Sequence, residues 1–381
     1  MRTLLVTGPG GAGTSTVAAA AALRSARSGR ETLLLGRQDP PVAGLGGEPH
    51  LTVRRVAGAR TVQDLWGTHA EGLAALLPHL TLPPASSVVP LPGADALALT
   101  AELAGAEADV VVVDAGPLEE GLALVALPAA LRWWLDQALP PTVRALAAVR
   151  TAGVAAGAVR RGPLDAVIAA LPELEALLAR DRLADRTGTA VWLTAEARAQ
   201  AAAALRRSLP VLGLHGLRPA AVVTRMLPAG TGEWWTTRSG AERVALAALA
   251  ELAPVHRVEE GPEGPADADG VAAVLGDLGL PDSGGPAAPA ARRVPGGWSL
   301  DVPVPFAERA AVTLTRWGDD LVVGVGEDRR SLRLDSLLRR CEVTGGRLAD
   351  PGTAAARLEV SFRPDPQQWP ADLLAAEGRT S

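Results

Sequence analysis

The chain has 381 residues, 48% hydrophobic and 21% charged, with a net charge of −5. That length calls for one large domain and a smaller one, and the balance fits a folded globular chain rather than a disordered one. The acidic excess argues against nucleic acid or an anionic membrane as the main partner.

All 37 basic residues are arginine, and lysine, tyrosine and asparagine are absent, a pattern that compositional drift in a GC-rich genome would produce. The one cysteine, Cys341, excludes an internal disulfide and a CxxC zinc pair, so it reads as a small core hydrophobe and no zinc is expected. The apolar stretch before the first glycine is shorter than a signal-peptide core, and no apolar run reaches the roughly 20 residues that span a bilayer. No transmembrane segment and a cytoplasmic location are expected.

Residues 4–16 read LLVTGPGGAGTST. An apolar strand runs into a turn carrying Gly8, Gly10, Gly11 and Gly13, and the hydroxyl cluster Thr14, Ser15 and Thr16 opens an alanine-rich helix. This is the layout of a P-loop, in which backbone N–H groups and a helix N-terminus cradle phosphates. Where G-x-x-x-x-G-K-[ST] requires lysine, however, the chain has Thr14, and no lysine elsewhere can replace it. Ser15 occupies the place of the Mg²⁺-coordinating hydroxyl. Loss of the lysine removes charge-assisted hydrogen bonds of about 1.5–3 kcal/mol each.

Over residues 1–280, short β-branched runs alternate with longer Ala/Leu/Arg-rich stretches. Strands are expected at 3–7, 32–35, 109–113, 189–193, 220–224 and 254–258. The uninterrupted Val110–Val113 run is that of a strand buried on both faces. The pattern predicts a doubly wound, mostly parallel α/β sheet of the P-loop NTPase type, with ligands at the carboxyl ends of the strands. Asp39 closes the second strand and is a candidate water-orienting acid; Asp114 closes the valine strand and is a candidate Mg²⁺ partner of Ser15. Either aspartate could instead cap the turn that follows it. From about 122 to 186 the strand signal gives way to aliphatics at helical spacing, which predicts a helical insert.

Residues 281–295, PDSGGPAAPAARRVP, form the expected linker. Strict alternation over Val312–Thr315, Leu321–Val325 and Leu358–Phe362 then predicts a small all-β sandwich over 296–364, followed by a tail over 365–381. The five histidines are scattered, with no pair at ligand spacing. The pairs Trp133–Trp134 and Trp234–Trp235 read as packing.

The order GPGGAGTST, TLLLGRQDPP and DVVVVDAGPLEEGLALVALPAALRWWLD resembles the arsenite-pump ATPase (ArsA) family, which includes the tail-anchored-protein targeting ATPases. That family carries GKGGVGKT(S/T), a switch I with Asp-Pro-Ala-His, and a switch II close to DTAPTGxTLRLLxLPxxLRWYL. The segment from LADRTGTAVWLTAE to VVTRMLP is similar to the family's stretch ending in its adenine-contacting Asn-Arg-x-x-Pro, where Thr224 replaces the asparagine. DVPVPF, WGDDLVVGVGEDRRSLRL and RLADP resemble the α-crystallin-type, small-heat-shock-protein-like domain of some bacterial members.

The resemblance implies an ATPase with ATP and Mg²⁺ as cofactors. It implies a homodimer, or a heterodimer with an intact paralogue, acting on a protein client. The departures fall on the chemistry. Pro9 stands at the signature lysine, Thr14 at the P-loop lysine, Pro41-Val42 in place of Ala-His, and Leu118–Gly121 in place of Thr-Gly-x-Thr. Drift that turns lysine into arginine does not yield proline and threonine. The sequence therefore points to a degenerate member, a pseudo-ATPase with a binding, chaperone-like or partner role. The competing reading is an active ATPase in which an arginine, such as Arg37, replaces the lysine.

Overall fold

A computed structural model describes residues 2–76, 82–158, 163–281, 289 and 291–369. Most of the expected linker and the tail from residue 370 onward lie outside the described residues, as do 159–162 of the helical insert.

The first part of the chain runs β1 (Arg2–Gly8), α1 (Thr14–Arg27), β2 (Thr32–Gly36), β3 (Leu51–Arg55), α2 (Gly58–Leu76), α3 (Ala94–Gly105) and β4 (Val110–Pro117). It continues through α4 (Leu118–Ala138), α5 (Pro141–Ala155), α6 (Pro163–Ala179), β5 (Thr189–Glu196) and α7 (Ala199–Leu214). It closes with β6 (Pro219–Met226), α8 (Glu233–Ala250), β7 (Val255–Glu259) and α9 (Ala268–Ala273). The strands form one parallel seven-stranded sheet in the order β3-β2-β4-β1-β5-β6-β7.

Successive strand residues feed two separate cores. Leu5, Val111 and Val113 face one side with α3, α4 and α7, while Leu4, Val6, Val110 and Val112 face the other with α1. This is why the valine run needs no polar alternation. On the α1 side, Ala18–Ala22 are all buried, and their short side chains let the helix lie close on the sheet. The chain moves to one side of β1 through β2, β3 and β4 and to the other through β5, β6 and β7. Such a reversal opens a crevice at the carboxyl end of the central strand. Six of the seven strands coincide with the expected β-branched runs; the seventh, edge strand β3, has only Leu51 buried and is not among them.

The second part is antiparallel. Strands β8 (Ala291–Val294), β9 (Gly297–Pro303), β13 (Cys341–Ala349) and β14 (Arg357–Pro364) pair in the order β13-β14-β9-β8. Strands β10 (Val312–Trp317), β11 (Asp320–Val325) and β12 (Asp328–Arg333) pair in sequence. The two sheets share one core, built from Val302, Val360 and Phe362 on one side and Leu321, Val323 and Val325 on the other. Cys341 is buried there as a free thiol. Residues 291–294, assigned to the linker by composition, are an edge strand instead: the turn at Pro295-Gly296 folds them back on β9.

The β part rests on α7 and α4. Leu214 joins its core, the Arg330 guanidinium donates to the Leu214 carbonyl, and Trp317 donates to Gln137 at 3.0 Å. Among the described residues, no helix is long and apolar enough to cross a membrane.

Candidate functional site

Strands β1 and β4 lie side by side, and after a register slip Gly8 stands opposite Pro117. The glycine loop and the first turn of α4 therefore rise on either side of one cleft of about 500 Å³. Gly8 sits so close to β5 that a Cβ there would overlap the carbonyl oxygen and hydroxyl of Thr194. Gly11 and Gly13 have φ of +80° and +83°, the left-handed conformation that glycine adopts without strain. Helix α1 then opens on Gly13 with no side-chain cap, leaving its first N–H groups and the positive end of its dipole at the cleft. In backbone terms this is a phosphate cradle.

The cleft brings together Gly8, Gly10, Gly11, Gly13, Thr14, Ser15, Thr16 and Asp114 from among the residues singled out in the sequence. Ser15 and Asp114 also meet in a smaller hollow beside Gly36 and Gln38, so they are the pair that would hold Mg²⁺. Asp114 also accepts from the Gly116 N–H at 3.1 Å, so the turn-capping role coexists with the site position. The Thr14 hydroxyl makes a buried 2.7 Å hydrogen bond with Thr194 Oγ1 of β5.

Asp39 does not line the cleft. It lies out on the surface, paired with Arg55 of β3 at 2.9 Å. Its neighbours Arg37 and Gln38 face inward instead, joined by Asp95 from the start of α3 and Glu120 from the first turn of α4. No sequence signal marked Gln38 or Asp95. Asp95 accepts from the Gly58 N–H at 2.6 Å, and only the packing of α3 beside β2 and β4 carries it to the loop.

The electrostatics differ from those of a working phosphate-transfer site. Arg37 is the one guanidinium among the lining residues, against the carboxylates of Asp95, Asp114 and Glu120. Its Nη2 donates to the Ala115 carbonyl at 2.8 Å and forms an ion pair with Glu120. A polyphosphate in the cleft would meet the backbone N–H groups of the loop, and Ser15 and Asp114 are the residues that would hold its metal ion. Among the described lining residues, the positive charge is that of Arg37, held between the Ala115 carbonyl and Glu120.

A second cleft of about 740 Å³ runs from Gly13 and Thr16 past Val223 and Arg225 to the 259–265 segment. Thr224, singled out at the adenine position, does not line it. It is fully buried, with its Oγ1 lacking a hydrogen-bond partner. Arg225 does line it, but is tied to Glu196. Burial alone would raise the Glu196 carboxyl; hydrogen bonding from Arg198 and the charge of Arg225 outweigh this and hold it below its ordinary range. Both tryptophan pairs make edge-to-face contacts, at 5.0 Å for Trp133–Trp134 and 4.8 Å for Trp234–Trp235, with Trp134 and Trp234 on the surface.

A parallel sheet with a glycine loop, an uncapped helix start and an acidic strand end beside it defines a P-loop-type α/β protein, here joined to an antiparallel β domain. Residues 295–362 match the family described as the HSP20-like domain found in ArsA. The chain is 39% identical over 396 positions to the uncharacterized protein SCO2128 of Streptomyces coelicolor, covering 97% of this chain and 99% of that protein. It is 29% identical over 438 positions to protein Rv2184c of Mycobacterium tuberculosis, covering 97% of each. The chain belongs to the family of ArsA-like proteins that end in an HSP20-like domain.

Proposed function

We propose that this chain is a pseudo-ATPase: it keeps the nucleotide-binding frame of the ArsA-like fold, does not turn ATP over, and works as a chaperone-like binding protein. The same reading makes it a dimer partner, of a second copy or of an intact relative, in keeping with the family resemblance.

One observation carries it. The hydroxyl at the lysine position is spent on Thr194, and the cleft's one lining guanidinium is spent on Glu120. Among the described lining residues, the one cation is thus neutralised by a carboxylate, and no second cation stands at the loop to meet the charge of the transition state. The loss is large in affinity and larger in rate, because charge-assisted contacts count most where negative charge grows.

The test is calorimetry with Mg-ATP on the purified full chain, run beside a phosphate-release assay and size-exclusion with light scattering. Nucleotide binding without turnover is the expected result. Turnover above background overturns the reading. The active-ATPase alternative rests on Arg37 lining the cleft, and would require it to serve turnover and not only the binding of phosphate.

A further inference from the structure

We propose that Arg37 is the phosphate-binding cation of this chain and that Glu120 is its built-in competitor, so that a phosphate anion enters the glycine-loop cleft by displacing the Glu120 carboxylate. The inference deepens the reading above and rests on its premise that the cleft is a phosphate cradle.

Four features of the site point this way. Arg37 leaves the end of β2 directly into the cleft, on the same wall as Asp114. Gly116 has φ +71°, and a Cβ there would come within 2.7 Å of Arg37 Nη2; the space against the guanidinium exists because that residue is glycine. The Ala115 carbonyl then anchors Nη2 at 2.8 Å, which fixes the guanidinium independently of Glu120. Among the described residues, Nε and Nη1 make no hydrogen bond; each shares a planar donor edge with Nη2, so departure of the Glu120 carboxylate frees one such edge for a phosphate.

The two partners are not equally held. The Arg37 side chain is 22% exposed and the Glu120 side chain 48%. Glu120 has no other hydrogen bond or ion pair among the described residues, and it sits in the first turn of α4, where the helix dipole contributes to its placement. The carboxylate can swing to water while the guanidinium stays. A phosphate dianion offers more charge and a bidentate geometry to the same donors, and it also collects the N–H groups of the loop. Glu120 therefore sets a threshold: weak anions are refused, and a polyphosphate is admitted at reduced affinity.

The experiment titrates inorganic pyrophosphate into the full-length chain by calorimetry at fixed ionic strength. Glu120→Gln is expected to tighten binding by about tenfold to a hundredfold, the scale of one charge-assisted contact. Arg37→Gln is expected to weaken it, and the gain from Glu120→Gln should vanish in the Arg37→Gln background. Glu119→Gln, which removes the same charge one residue away, should change affinity by no more than about twofold, the scale left to a screened surface charge. The Glu→Gln exchanges preserve shape, Arg37→Gln shortens a side chain that is part-exposed, and the double variant removes both charges of the pair, so thermal melts should show each variant folded.

Unchanged affinity in Glu120→Gln overturns the proposal. So does an equal gain from Glu119→Gln, or a gain that survives without Arg37, because both indicate a general charge effect. Absence of pyrophosphate binding by any variant at millimolar concentration also overturns it. Turnover of Mg-ATP by the wild-type chain, measured in parallel, overturns the pseudo-ATPase reading alone.

Discussion

The Thr14–Thr194 hydrogen bond can be tested by a double-mutant cycle, because it engages the hydroxyl that stands at the lysine position. Both hydroxyls are buried and 2.7 Å apart. Replacing either threonine by valine keeps the shape and strands the other hydroxyl without a partner. Each single change should cost about 1–3 kcal/mol, the penalty for an unsatisfied buried polar group. Replacing both removes the pair and should cost much less than the sum, giving a coupling of about 1–3 kcal/mol. Urea denaturation followed by circular dichroism gives the four midpoints, provided the slope is constant across the set. Thr14→Val should leave pyrophosphate affinity within about twofold, since a hydroxyl engaged with Thr194 offers the anion at most a fraction of a hydrogen bond. A coupling below about 0.5 kcal/mol, the range of independent sites, would refute the pair. A loss of anion affinity would return Thr14 to the cleft.

Gly8→Ala should destabilise the protein by about 1–3 kcal/mol, the cost of forcing a methyl group into a filled space, read as a lowered melting temperature; the obstructing atoms include the Thr194 backbone carbonyl. Asp39→Asn should shift stability by no more than about 0.5 kcal/mol and leave nucleotide affinity unchanged, as befits an exposed pair with Arg55. The buried imidazole of His215 is pushed from its ordinary 6.5 down to about 3, by burial first and then by the charges of Arg330 and Arg186. It stays neutral when folded and takes a proton when unfolded, so its contribution is present above pH 6.5 and is lost as pH falls toward 3. Between those limits stability should drop by up to about 1.4 kcal/mol per pH unit from this group. Urea midpoints at pH 7, 6 and 5 should fall less steeply in His215→Gln than in wild type.

The sheet was legible because its strands are buried on both faces, and the glycine loop because it joins a strand to a helix. What escaped was set by edges and by distance along the chain. Strand β3 has one buried residue and a polar remainder, the signature of an edge rather than of a core strand. Its omission hid the partner of Asp39, since Arg55 lies on β3. Position at a strand end puts Arg37 and Asp39 near the site, but does not say which of them turns inward. The Arg37–Glu120 pair was equally hidden, because β2 and β4 are neighbours in the sheet and far apart in sequence.

Of the four loop glycines, Gly8 answers to packing and Gly11 and Gly13 to the turn, while nothing in the structure explains Gly10. Gly8 is required by Thr194, and Gly121 by Thr7, whose side chain a Cβ on Gly121 would overlap. Packing alone would preserve both in a chain that bound nothing. At Gly11 and Gly13 no atom approaches a Cβ, so packing asks nothing of either position; what needs glycine there is the left-handed turn. That turn serves to present N–H groups at an uncapped helix start, and a loop with no anion to hold could relax to a form open to any residue. Gly11 and Gly13 are therefore required by the shape of the turn and not by the core. The lysines supply charge for turnover, while the backbone supplies donors for binding. Loss of the first with retention of the second is the pattern expected of a protein that holds a phosphate without breaking it.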